Sequence, residues 1–365
     1  MRYKLGDLVE LVTETNSELK YGLDDIVGVT LEKQMIPTIA NLTQTDLDSF
    51  IVVRPKDFVY NPRTHGKKIG LGFNTTDRCF ISTWNNNTFR VKPSMSNVII
   101  PDYLYMHFLR ERWDKEACFN AWGSSTVVLL WSSFCNMAIN VPSIDEQRKT
   151  VHAYQVINNR ISLLQAINEN LGEYLDCIYC KLIQDVEETV PLSSICSYVT
   201  DKAKFSELEN PIYLSTENLL PDKQGVASFG ETLNDERVTV FHRSDVLVSN
   251  IRPYFKKMWF ATCGGGCNSD VLCFRAADQQ YSYILKSVLY QDSFYDYVMS
   301  GSKGTKMPRG DKNHIMQYPV PKLVPDMLER FNNLAHSIEQ TQAQNRDEIA
   351  ALLRLQDLFL KLLSR

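Results

Sequence analysis

The chain contains no apolar run approaching the ~18–20 residues needed to cross a bilayer, and its start, Met1-Arg2-Tyr3-Lys4-Leu5-Gly6-Asp7, lacks the apolar core of a signal peptide. It has no phosphate-binding Gly-x-x-x-x-Gly-Lys-Ser/Thr loop, which assigns any ATP hydrolysis to a partner. Its six histidines are scattered without the spacing that a nucleophilic triad or a metal site would need. The nine cysteines are an odd number in a large chain and read as reduced thiols rather than a disulfide framework. These absences predict a soluble, cytoplasmic protein with no catalytic residues, no metal and no cofactor.

Three features imitate chemistry without completing it. Cys177-x-x-Cys180 lies in a helical pattern with no second pair and no matching histidines, so it reads as a helical thiol pair. Cys263, Cys267 and Cys273 flank Gly264-Gly265-Gly266, which reads as a tight turn before a strand. Gly70-Leu71-Gly72 is too short and wrongly placed for a dinucleotide fingerprint.

What is present is a repeat. A first stretch ends in Gly123-Ser124-Ser125, a short run and Val141-Pro142; a polar helix follows; then the pattern recurs, ending in Gly301-Ser302-Lys303-Gly304 and Val320-Pro321. A repeat of this length predicts two domains of one kind rather than a solenoid. The expected boundaries are a globular lobe at 1–143, a spacer helix at 144–186, a second lobe at 187–322 and a second spacer at 323–365.

Each spacer has one apolar seam: Ile157, Ile161, Leu164, Asn168, Leu171, Leu175, Ile178 and Leu182 in the first, and Val324, Leu328, Phe331, Ala335, Ile338, Gln342, Asn345, Ile349, Leu352, Gln356, Phe359 and Leu363 in the second. Steps of four and three give the period of a two-helix coiled coil. The pair is expected to be antiparallel and about 60 Å long. Seam amides fix register at a cost in stability, and Asn168 is expected near Gln342 or Asn345 as the register pair.

Both lobes read as mixed α and β in one order. Phe50–Val53, Asp57–Tyr60 and Thr88–Val91 look like strands before a helix at Pro101–Leu109; Val238–Phe241, Asp245–Ser249 and Val271–Arg275 look like strands before a helix at Tyr281–Lys286. An Asn-x-Arg element follows the second strand in each, Asn61-Pro62-Arg63 and Asn250-Ile251-Arg252. The predicted fold class is α+β: two similar domains joined by two long antiparallel helices in a pseudo-twofold repeat.

The net charge of −4 hides an uneven distribution. Residues 1–150 hold 17 Lys+Arg against 17 Asp+Glu and residues 190–322 hold 15 against 14, while 150–189 hold 2 against 6. The acid sits on the helices, and the lobes keep basic clusters. A nucleic-acid reader needs a local positive face, not a positive total.

Lys4-Leu5-Gly6-Asp7-Leu8, Gly123-Ser124, Val141-Pro142-Ser143-Ile144-Asp145-Glu146-Gln147-Arg148-Lys149 and Gly301-Ser302-Lys303-Gly304-Thr305-Lys306 together resemble the specificity subunit of Type I restriction–modification systems. The likeness covers essentially the whole chain, but the second helix start has Asp326 and Glu329-Arg330 in place of a Glu-Gln pair. The resemblance implies a non-catalytic reader of double-stranded DNA that binds two methyltransferase subunits and, through them, restriction (helicase-nuclease) subunits, with no membrane association. Two unlike lobes on one spacer imply a bipartite, asymmetric target. The alternatives from other classes are a stand-alone DNA-binding or coiled-coil adaptor, a chain carrying its own methyltransferase or nuclease activity, and a methyltransferase-associated specificity protein without restriction. Asn61-Pro62-Arg63 lacks the second proline and the aromatic residue of an adenine methyltransferase motif.

Candidate DNA contacts are the basic residues of loops containing glycine or aromatic residues. In the first lobe these are Arg54, Lys56, Arg63, Lys67 and Lys68, with His65 and Gly66 among them; in the second they are Arg252, Lys256 and Lys257 beside Tyr254 and Phe255, then Lys303, Lys306, Arg309 and Lys312. Such side chains reach phosphates, and Arg63, Arg252 or Arg309 could read guanine edges. The competing reading of each is a solvated charged loop.

Overall fold

The computed structural model describes residues 1–38, 45–65, 67–123, 127–209, 211–230, 236–304 and 306–363. They form two compact units, Met1–Leu164 with Asp347–Arg365, and Gln165–Arg346. Each unit therefore takes a part of both long helices, Ile144–Ile183 and Pro325–Leu362.

In the first unit Arg2–Lys4 pairs antiparallel with Ala138–Asn140, setting Tyr3 opposite Ile139. The main sheet is antiparallel in the order Val9–Leu11, Asn87–Val91, Phe58–His65, Lys68–Phe73. Alternation along Phe58-Val59-Tyr60 sends Phe58 and Tyr60 into a core with Phe89, Phe108, Trp113 and Phe134, and Val59 to the other side with Val27 and Val53. Phe58 stacks on Phe73 at 4.5 Å and on Phe89 at 4.9 Å, with the edge of Phe108 at 5.7 Å.

The second unit repeats the plan. Thr189–Pro191 pairs with Pro319–Pro321, setting Val190 opposite Val320. The main sheet runs Cys196–Tyr198, Val271–Ala276, Val246–Ser249, Met258–Phe260. A second sheet contains Lys202–Lys204, Arg237–Phe241, Gly265–Cys267 and Tyr213–Leu214. Gly265 and Gly266 are thus strand residues, not the turn expected from the sequence. A Cβ on Gly265 would meet Ile212 O and the Phe241 ring at 2.6 Å, so glycine serves close approach here. Cys267 and Cys273 are buried in this half of the core, and burial pushes the Cys267 thiol up to about 12.

Both sheets are anchored by one device that the sequence patterns did not reveal. Asp57 accepts from Arg54 N at 2.9 Å and from Arg90 Nη2 at 2.8 Å. Asp245 accepts from His242 N at 2.7 Å and from Arg275 Nη2 at 2.7 Å. Each turn places a left-handed residue before the aspartate, Lys56 at φ 68° and Ser244 at φ 72°. The available signal was an Asp preceding the middle strand and an Arg on the next strand in both lobes.

The strand registers also correct the alignment of the repeat. Asn140 matches Pro321, each four residues before its long helix, whereas the sequence pattern matched the two Val-Pro steps. Val141-Pro142 lies past the strand, so Gln147 corresponds to Leu328. Val324, expected in the second seam, precedes its helix and is 56% exposed.

Within each unit the helices run antiparallel. In the first, Tyr154 stacks on Phe359 at 6.5 Å, Gln356 bonds to Tyr154 and Asn158, and Arg160 makes a two-pronged pair with Glu348 at 2.7 and 3.0 Å. In the second, Gln342 Nε2 donates to Asn168 O at 2.8 Å and Asn345 Nδ2 to Asn168 Oδ1 at 2.8 Å. Tyr179 meets Phe331 at 6.0 Å.

Candidate nucleic-acid interface

In the second unit the chain leaves strand Val246–Ser249 and turns through one 3-10 turn, Pro253–Phe255, flanked by left-handed Arg252 and Lys256. Arg252 N donates to Pro308 O at 2.8 Å, and Ile251 forms a bridge with Arg309. Arg309 and Lys303 exchange backbone bonds at 3.0 Å each. The two basic runs of the second lobe, separate in sequence, therefore meet just past the end of this strand. Tyr254 and Phe255 lie beside them as an exposed ring pair 4.7 Å apart.

Acidic neighbours hold several of these cations. Lys256 pairs with Asp292 at 3.0 Å, Lys303 with Asp311 at 2.6 Å and Arg309 with Asp270 at 3.0 Å. Lys303 and then the N–H groups of His314 and Asn313 draw the Asp311 carboxyl down to about 2. Lys257 Nζ donates to Thr216 O at 2.9 Å, and Lys312 lies over the Tyr198 ring at 5.8 Å. Lys306 is exposed and makes no ion pair among the described residues. Thr305 lies outside them.

The first unit arranges its basic residues differently. Arg54 is held by both oxygens of Glu14 at 2.8 and 2.7 Å, and Lys56 by Asp102 at 3.0 Å. Both precede strand Phe58–His65, whereas Lys67 and Lys68 sit at its far end, in the turn to Lys68–Phe73. An eight-residue strand separates such ends by about 25 Å, so these five residues are not one loop. Gly66 lies outside the described residues. Arg63 occupies the strand's irregular middle, bridged to Val128, which itself pairs with Trp122.

The two Asn-x-Arg elements are offset by one residue. Thr64 N donates to Val127 O at 2.9 Å as Arg252 N does to Pro308 O, so Arg252 corresponds to Thr64 and Ile251 to Arg63. A one-residue shift turns a side chain to the other face. Arg63 is exposed, and Arg252 is partly buried with its Nε unpaired among the described residues. The loops themselves match: Trp122 pairs with Val128 as Lys303 pairs with Arg309, and each is followed by a glycine at positive φ, Gly123 at 149° and Gly304 at 97°. Gly123 thus corresponds to Gly304 rather than to Gly301. Ser124 and Ser125 lie outside the described residues.

No family model matches the chain. Over 144 aligned positions, which cover 37% of the chain, it is 26% identical to the Type I restriction enzyme EcoDI specificity subunit of Escherichia coli. The chain spans about a third of the length of that curated relative, 31%. The structure superposes on the S subunit of a Type I restriction–modification system from M. genitalium with a TM-score of 0.57 and 13% identity, covering 100% of this chain and 95% of that one. The chain resembles Type I restriction specificity subunits. The likeness lies in sequence over the matched stretch and in fold over the full length.

No described helix is long and apolar enough to cross a membrane, and no described group of three or more His, Cys, Asp or Glu could hold a metal ion. Cys177 and Cys180 are exposed free thiols on the first long helix.

One charged cavity in the second unit has a pH consequence. It measures about 780 Å³ and is lined by Asp176, Lys223, Lys286, Tyr290, Glu339 and Arg346, among others. Burial raises the Asp176 carboxyl to about 6 from its ordinary 3.8, against the opposing pull of Lys286 and Lys223. The folded state therefore holds this proton more tightly than the unfolded chain. The group favours folding below its unfolded value, and that contribution is lost as pH rises through about 6. Asp176→Asn is expected to raise the melting temperature of this unit near pH 7.5 and to leave it almost unchanged near pH 4. Melting curves that keep a constant separation across this range would contradict the assignment.

Proposed function

We propose that this chain is the non-catalytic DNA-recognition subunit of a Type I restriction–modification complex. Residues 1–143 and 187–322 would each read one half of a bipartite, asymmetric target, and 144–186 with 323–365 would be the spacer between them. The observation that carries this reading is the paired bridged loop. Both units bridge the described ends of a matching loop to the matching strand, yet with different side chains, as two readers of different sequences require. Two methyltransferase subunits would dock on the helices, and restriction subunits would join through them. Val156, Leu163, Leu353, Leu358 and Leu362 leave apolar surface exposed on the helix segments of the first unit, which supports such docking. The chain itself needs no cofactor, and its place of action would be the cytoplasm, with the DNA.

The test is a gel shift on duplex DNA across a salt series, with the full chain alone and co-expressed with an adenine methyltransferase subunit. Phosphate contacts make log K fall linearly with log salt, by about 0.9 per phosphate neutralised. Binding in the complex with a slope of several units is expected. No binding at any salt, with or without the methyltransferase, would overturn the reading. Mapping methyladenine in the host genome would then give the target.

A further inference from the structure

The bridges align three side chains into one row in each unit: Arg63, Val128 and Trp122 in the first, Ile251, Arg309 and Lys303 in the second. Residues directly opposite across a sheet share a face, with Cα spacings of about 4.5 and 5.5 Å, so each row spans about 10 Å. The first bridge of each row joins one arginine to one β-branched aliphatic residue. The arginine comes from the strand in the first unit and from the loop in the second, because Arg63 corresponds to Ile251 and Val128 to Arg309. The third place differs in kind, holding Trp122 in one row and Lys303 in the other.

Exposure leaves both rows open to a partner. Trp122 is 76% exposed, with Phe119 and Leu130 exposed nearby. Keeping an indole in water forgoes favourable burial, and no described residue of the unit covers it. Its row neighbour Arg63 is exposed and makes no ion pair among the described residues. Lys67 and Lys68 project from the same hairpin. In the second row the side chains of Arg309 and Lys303 are 57% and 81% exposed, each in an ion pair, with Asp270 and Asp311, that a phosphate would compete for.

Resting on the DNA-recognition reading above, we propose that these rows are the contact elements of the two units and that they work by different chemistry. The second row meets DNA as a cation pair. In the first, Arg63 supplies the single charge, and the Trp122 indole packs on apolar surface of the duplex, a thymine methyl or a deoxyribose. A tryptophan releases no counterions, so its contribution is independent of salt, whereas that of Lys303 is not.

The experiment compares Trp122→Ala, Trp122→Phe and Lys303→Ala with the parent chain, each in complex with its methyltransferase subunit, on one target duplex across a salt series. Trp122→Ala is expected to weaken binding about ten-fold at every salt concentration, with an unchanged slope, the order of a lost buried apolar contact. Trp122→Phe should recover most of that loss. Lys303→Ala should reduce the slope by about 0.9, so that its defect shrinks at high salt. Because Trp122 is exposed, its replacement should leave the melting temperature unchanged, which separates lost contact from lost fold. Parental affinity for Trp122→Ala, or a Trp122→Ala defect that fades with salt, would overturn the proposal while leaving DNA recognition intact. A parent complex that binds no DNA would instead remove the reading beneath it.

Discussion

Replacing Lys33 by Met should lower the stability of the first unit by about 3–5 kcal/mol, the usual consequence of leaving one charge of a buried pair without its partner. Lys33 Nζ lies 2.6 Å from Asp114 Oδ1 and donates to Ile69 O at 2.5 Å, and only 4% of its side chain is exposed. Asp114 also accepts from Ile69 N at 3.1 Å, and the Lys33 ammonium lies 5.2 Å from the Trp113 ring centre. Burial draws the Lys33 ammonium down from its ordinary range, opposed by Asp114, so the pair exists against a desolvation cost. The double variant Lys33→Met with Asp114→Leu should recover a large part of the loss, because removing both charges also removes both desolvation penalties. Urea unfolding of the full chain, followed by a probe in the first unit such as its tryptophans, measures this. A loss below about 1 kcal/mol for Lys33→Met would place the pair among solvent-exposed ion pairs instead. The pair has a functional position as well. Asp114 belongs to helix Glu111–Phe119, whose exit leads to Trp122, and Ile69 belongs to the hairpin that carries Arg63, Lys67 and Lys68. The pair therefore fixes both sides of the proposed contact row.

Such a pair is invisible to periodicity, because 81 residues separate its members and neither position belongs to a pattern. The helix seams were readable for the opposite reason: every turn repeats the same burial constraint, and the amides at Asn168, Gln342 and Asn345 interrupt it visibly. The second lobe's two basic runs could be marked in sequence but not joined, since backbone pairing of Ile251 and Arg252 with Pro308 and Arg309 brings them together. In the first lobe the same marking misled, because five cations close in sequence straddle an extended strand, and extension carries its ends apart. Arg54 and Lys56 also have carboxylate partners in Glu14 and Asp102, which lie at long range in the chain. Local chemistry was legible wherever the geometry is local. The correspondence between the units was not, since it depends on strand register, and a shift of a single residue exchanges the faces of Arg63 and Arg252.

Gln147 shows what register adds to a motif that was legible from the start. The residue belongs to the helix-start sequence Ser143-Ile144-Asp145-Glu146-Gln147, whose Ser143 and Glu146 cap each other: Ser143 N donates to Glu146 Oε2 at 3.0 Å and Glu146 N to Ser143 Oγ at 3.4 Å. Gln147 does something else. It is 0% exposed, accepts from Ile100 N at 2.9 Å, and donates to Val98 O at 2.8 Å and to Pro142 O at 3.0 Å. One side chain thus satisfies three backbone groups where the chain enters helix Pro101–Phe108 and where it approaches the long helix. At the matching position the second unit has Leu328, which joins the apolar core. The substitution that copies one unit into the other, Gln147→Leu, is nearly isosteric and strips all three partners at once. Each buried group left without a hydrogen bond costs about 1–3 kcal/mol; with partial relief from water, a total loss of about 3 kcal/mol is expected. Gln147→Glu, which keeps one acceptor for Ile100 N but sets a carboxylate against two carbonyl oxygens, should be no less damaging. Chemical denaturation of both variants decides the matter. If Gln147→Leu is as stable as the parent, the amide is dispensable and the two helix starts are interchangeable. If it loses the expected amount, the polar start of the first helix is a structural requirement of its own unit, and the departure at Leu328 reflects a different local solution rather than a degraded copy.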